Sequence, residues 1–196
     1  MERRMVDGSS EEYNHTLATS LCVLCGAAYV DTKPENITKT LINMGYGENF
    51  FSSYITPTRE ENDSVGYVIA NKEYDRYDLV TVIIKGTSED SEWYSNFNIG
   101  DGEIHEGFNI AALKLYSDLE KYISTLGDND KKFLITGHSR GAGVANIVAK
   151  MLNESSYADK KDIFAYTFAS PLVSLDACTE GYENIFNILC HLGITN

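Results

Sequence analysis

Lys132-Phe133-Leu134-Ile135-Thr136-Gly137-His138-Ser139-Arg140-Gly141-Ala142-Gly143-Val144 is the stretch on which the reading of this 196-residue chain turns. Its first five residues are a short, mostly apolar run of the kind that makes a buried strand. Gly137, Ser139 and Gly141 then spell G-x-S-x-G, and 142–152 continues with small residues followed by apolar ones at helical spacing. Strand, sharp turn and helix together describe an elbow that holds a serine hydroxyl out above the end of a sheet, with glycines where side chains would obstruct the bend. A chance pentapeptide would lack the strand before it and the helix behind it, so Ser139 is read as a nucleophile.

Working outward, 107–126 carries Phe108, Ala111, Ala112, Leu115, Leu119, Tyr122 and Ile123 on one helical face, with Gly127 placed to stop it. Upstream, 50–56, 65–70 and 78–85 read as strands, with a hairpin among them; the last has the continuous apolar and β-branched run of a central strand. Ser9 and Glu12 are spaced as a capping box before a first helix with Tyr13, Leu17, Leu21, Leu24 and Ala28 on one face, ending near Tyr29. Pro34 suits the first turn of a second helix that Gly45 would end. Downstream, 162–169 and 182–189 read as two more strands. Strands alternating with helices around an elbow predict an α/β fold with a sheet mostly parallel at its centre.

The sequence shows no linker, repeat or low-complexity segment, so one domain over 1–196 is expected, with 1–9 as a disordered arm. Sixteen basic residues against 29 acidic ones give a formal charge of −13, which opposes association with nucleic acid or anionic membranes. No run is long and apolar enough to span a bilayer. Met1-Glu2-Arg3-Arg4-Met5 has no apolar run behind its arginines, so a cytoplasmic protein is expected, although a secreted chain trimmed of its leader would read the same. Cys22 and Cys25 form C-x-x-C inside the first helix, where buried packing thiols are the better reading than a redox pair. Cys178 and Cys190 stand too far apart to complete a metal site. Neither metal nor cofactor is expected.

Acyl transfer by a serine also needs a base, an acid to orient it, and donors for the oxyanion. Lys85-Gly86-Thr87-Ser88 follows the central strand; Thr87 either faces a substrate oxygen with its hydroxyl and N–H or belongs to an ordinary strand-ending turn, and the residues alone leave both open. The backbone N–H of Arg140, directly after the serine, would be the second donor.

Several landmarks in order resemble one family, the class 3 (fungal-type) lipases and their bacterial relatives. Lys85-Gly86-Thr87 is similar to its Arg-Gly-Thr/Ser oxyanion turn, with lysine for the usual arginine. Ile104-His105-Glu106-Gly107-Phe108 resembles its His-x-Gly-Phe, and Thr136 to Gly141 its elbow. Thr167-Phe168-Ala169-Ser170-Pro171 resembles the strand end that follows, and Asn184-Ile185-Phe186-Asn187 the strand leading to the catalytic acid. The resemblance implies an α/β-hydrolase fold, a mostly parallel sheet flanked by helices, Ser139 as nucleophile, Thr87 and Arg140 as oxyanion-hole positions, and a lid over 88–102. It implies hydrolysis of an ester or acylglycerol through an acyl-enzyme.

The family's acid would fall near Gly193, where no acid stands, and its histidine would come later still. The sequence is therefore expected to be C-terminally incomplete, with Asp176 and His191 left as surrogates in the order Ser, Asp, His. His105 resembles a structural histidine of the family, His138 would pack under the elbow, and His15 lies on the first helix. Little activity is expected of a serine without its base. The alternative is an inactive lipase fold that binds an acyl ligand or a partner chain; peptidase or thioesterase chemistry shares the same elbow. An open sheet edge predicts self-association.

Overall fold

Among the described residues six strands lie in one sheet in the order of the chain, β1-β2-β3-β4-β5-β6. They are β1 (Phe50–Ser53), β2 (Tyr67–Glu73), β3 (Tyr77–Ile84), β4 (Asp130–His138), β5 (Ile163–Phe168) and β6 (Ile185–Ile188). The computed structural model describes residues 6–29, 34–48, 50–53, 65–86, 106–173 and 181–188. β1, β2 and β3 pair antiparallel, and β3 through β6 pair parallel. The β2–β3 hairpin closes through the Tyr74 N–H, which donates to Tyr77 O at 2.9 Å. All eight residues of β3 and all six of β5 are buried, as a strand covered on both faces requires.

Among the described residues four α-helices supply the cover: α1 (His15–Tyr29), α2 (Glu35–Asn43), α3 (Glu106–Ile123) and α4 (Arg140–Asn153). Because side chains alternate along a strand, the sheet has two cores. Val80, Val82, Phe133, Ile135 and Ala165 pack with Leu115 and Leu119 of α3 and Val144 and Val148 of α4. Leu79, Ile83, Leu134, Phe164 and Tyr166 pack with Leu17, Leu21, Leu24 and Ala28 of α1 and Ile37 and Leu41 of α2. The architecture is therefore helix, sheet, helix, as expected from the pattern.

Three local expectations are corrected. Ser9 does not cap α1: the cap is Asn14, whose Oδ1 accepts the Leu17 N–H at 3.0 Å, while the Ser9 hydroxyl accepts only the N–H of Glu11. The arm expected to be disordered over 1–9 is held at 6–9. Val6 is fully buried, its carbonyl accepts from Lys132 Nζ at 2.8 Å, and Ser10 just beyond donates to Lys160 O. Of the two thiols expected to be buried, only Cys25 is; Cys22 is exposed, because the buried stripe of α1 runs through Leu21, Leu24, Cys25 and Ala28. Cys178 and Cys190 lie outside the described residues.

Candidate functional site

The elbow forms where β4 ends and α4 begins. Ser139 has φ 53° and ψ −125°, a conformation that costs a residue with a Cβ about 1–3 kcal/mol and persists only when its surroundings hold it. Those surroundings are visible. The Ser139 N–H donates to Phe168 O at 2.9 Å, extending the β4–β5 ladder past the strand, and the Ser139 carbonyl accepts from the N–H groups of Ala142 at 2.9 Å and Gly143 at 3.2 Å.

The glycines permit the close approach that this geometry demands. A Cβ on Gly137 would stand 2.3 Å from Gly141 O, and one on Gly141 would stand 2.4 Å from Ile84 O and 2.8 Å from Lys85 O. The first turn of α4 is thus pressed against the ends of both β3 and β4. In the parallel register the last pair is Ile84 with Gly137, and beyond it Gly86 lies against the carbonyl of His138. Gly86 is as tightly placed: a Cβ there would lie 2.5 Å from His138 O and 1.7 Å from the Tyr29 hydroxyl oxygen.

Arg140 follows the serine at the start of α4 with its side chain buried. Its N–H lies in the first turn of a 14-residue helix, whose dipole favours a negative charge. His138 faces the α1 side of the sheet, and its Nδ1 lies 2.9 Å from the hydroxyl of Tyr29. His15, exposed at the far end of α1, is 14 residues and so about 21 Å from that contact. Among the described residues, then, neither histidine is presented to Ser139. Thr87, the 88–102 segment expected as a lid, His105, Asp176 and His191 lie outside the described residues.

A polar cluster holds the neighbouring strand ends. Asn146 of α4 donates through Nδ2 to Ser170 Oγ and to Asn187 Oδ1, both at 2.9 Å, and its Oδ1 accepts from the Thr167 hydroxyl at 3.3 Å; Thr167 also bonds Asn187 across the β5–β6 pair. Below it, Asn153 and Asn184 exchange amide hydrogen bonds at 2.9 Å in each direction, and Asn184 Nδ2 also donates to Ile163 O. Ala169, next to Phe168, is the second residue other than glycine with positive φ among the described residues, at 50°, and donates its N–H to Ile188 O at 2.9 Å. Tyr29 and Asn146 were not anticipated from the sequence, since their partners lie far along the chain.

The family model described as Lipase (class 3) matches residues 75–192, more than half of the chain and all of the elements that build the elbow. The chain belongs to the class 3 lipase family. A secreted mono- and diacylglycerol lipase of Fusarium solani is 27% identical over 107 residues, which are 50% of this chain and 31% of that protein. The class 3 lipase chain thus spans about a third of the length of this curated relative. Among solved structures, the lipase from Rhizopus microsporus var. chinensis superposes with a TM-score of 0.58 at 16% identity, covering 90% of this chain and 67% of that one. The mono- and diacylglycerol lipase from Aspergillus oryzae gives 0.57 at 19%, covering 89% and 67%. These likenesses show the α/β-hydrolase fold. The secreted Fusarium relative overturns the expectation of a cytoplasmic protein, which rested on the composition of the first residues. No described helix is long and apolar enough to cross a membrane.

Proposed function

We propose that this class 3 lipase chain carries the nucleophile of a serine carboxylic-ester hydrolase acting on esters or acylglycerols. The observation that carries the reading is Ser139, held at positive φ at the tip of the elbow with the start of α4 behind it. Its Oγ would attack the ester carbonyl carbon; the tetrahedral oxyanion would be held by the Arg140 N–H and by Thr87, which follows the Gly86 that packs against His138, the residue before Ser139. Loss of the alcohol would leave an acyl-enzyme for water to hydrolyse, with a base accepting and returning the proton. The base is not among the described residues, and Asp176 and His191 remain the candidates from this sequence. The likeness to a secreted mono- and diacylglycerol lipase supports partial acylglycerols as substrates and an extracellular place of action.

A fluorophosphonate probe tests the reading. Modification on Ser139, absent in Ser139→Ala, is expected; a folded chain that resists the probe would favour the same fold serving as an acyl-ligand or partner-binding protein. Self-association along β6, which pairs with β5 alone among the described strands, belongs to the same proposal. A monomer by light scattering at high concentration rejects it.

A further inference from the structure

Tyr29 is the last residue of α1, a helix on the face of the sheet opposite α3 and α4. Its hydroxyl lies 2.9 Å from His138 Nδ1 and 3.5 Å from His138 O, and the two rings meet edge to face with centroids 5.5 Å apart. The same oxygen stands 1.7 Å, and Tyr29 Cζ 2.8 Å, from where a Cβ on Gly86 would be. The phenol end therefore fills the space opened by the missing side chain of Gly86. At this point the end of α1, the turn leaving β3 and the residue before the nucleophile come together.

We propose that Tyr29 is a positioning residue for the reaction at Ser139, its hydroxyl holding His138 and the Gly86 turn at a fixed separation; this rests on the reading of Ser139 as nucleophile. The chemistry makes that separation consequential. An oxyanion donor works only when preorganised at about 2.7–3.1 Å from the developing charge, and the two proposed donors belong to different strand ends. The ladder fixes the strands themselves, but Gly86 and His138 both lie past its last pair, Ile84 with Gly137. A hydroxyl bonded to one imidazole nitrogen also fixes the orientation of that ring beside the elbow. The tie reaches the site from the opposite layer of the fold, so α1 contributes to the geometry of a reaction it does not face.

Tyr29→Phe keeps the ring in the hollow above Gly86 and removes only the hydroxyl. Hydrogen exchange over 84–88 and 137–141 is expected to quicken about three- to tenfold, the scale of one net hydrogen bond, while exchange over 115–122 of α3 stays as in the wild type. Fluorophosphonate modification of Ser139 is expected to slow by about tenfold with Tm nearly unchanged. His138→Leu is expected to slow it similarly, and the double variant no further than the worse single one, as residues acting through one contact should. Unchanged exchange over both turns, a wild-type rate of modification in Tyr29→Phe, or additive losses in the double variant would overturn the proposal. A wild type that the probe does not modify would overturn the nucleophile reading and the positioning role with it; the exchange measurement still shows in that case whether the hydroxyl holds the two turns together.

Discussion

Gly141→Ala probes the close backbone approach of α4 to the end of β3. The added methyl would stand 2.4 Å from Ile84 O, with ordinary contact beginning at 3.4 Å, and the obstructing atoms are backbone at the end of β3. The first turn of α4 has to withdraw by roughly 1 Å, since no side chain is there to rotate away. Overpacking of this kind costs about 1–3 kcal/mol, and the better helix propensity of alanine returns at most about 1 kcal/mol. For a chain of this length the net loss lowers Tm by about 2–8 °C. The same displacement moves Ser139 and the Arg140 N–H relative to Gly86, and under the proposed function an error of about 1 Å in such a constellation costs on the order of a hundredfold in rate. Fluorophosphonate modification followed by intact mass, with a circular-dichroism melt on the same sample, reads both effects. Gly26→Ala is the control, because nothing lies within 4 Å of that position on the exposed side of α1; it should be modified at the wild-type rate and melt slightly higher. A Gly141→Ala protein with wild-type Tm and wild-type modification would refute the close-approach argument.

Ala169→Gly should raise Tm by about 1–4 °C, because glycine removes the penalty of positive φ and gives back only part of it as unfolded-chain entropy; a fall in Tm would show that the alanine methyl contributes packing that outweighs its strain. At pH 8, iodoacetamide should modify Cys22 and spare Cys25, whose thiol burial pushes up to about 12 against the opposing hydrogen bond with Thr136; peptide mapping that finds the two equally alkylated would contradict the burial. Glu183 is held down at about 2, first by the hydrogen bond from Lys160 and then by backbone N–H groups. A carboxyl depressed in the folded state adds stability above its unfolded value and loses it as pH falls through the folded one. Glu183→Gln should therefore melt below the wild type at pH 7 and converge with it near pH 2, and parallel curves across that window would reject the assignment.

The elbow was legible because everything that makes it lies within a few residues of Ser139: a buried strand, two glycines and a helix with small residues at its start. The two-faced sheet was legible for a similar reason, since alternation along β4 and continuous burial in β3 and β5 follow from local pattern. The start of α1 misled because Ser9 and Glu12 have the spacing of a cap, whereas Asn14 offers a carboxamide oxygen one turn nearer the buried stripe. Val6 misled because a lone apolar residue among polar ones shows nothing of the lysine that will hold it. The Tyr29–His138 contact spans 109 residues and the Asn146–Asn187 contact 41, and no periodicity links such positions. They become neighbours only through the sheet order and the layer each helix takes. Compartment is set by targeting rather than by packing, which is why composition gave the wrong place.

The spatial order of the strands is also the order in which a ribosome would deliver them. The β2–β3 hairpin can close as soon as it emerges, and β4, β5 and β6 each arrive to find their one required neighbour already in place. No described strand has to be inserted between two that have already paired. The helices divide differently: α3 and α4 are made between the strands they cover, whereas α1 is made first and must wait for β3, β4 and β5 before its buried stripe has anywhere to go. A sheet of this order can grow from its amino to its carboxyl end, and α1, made first, finds its seat only once β3, β4 and β5 have paired.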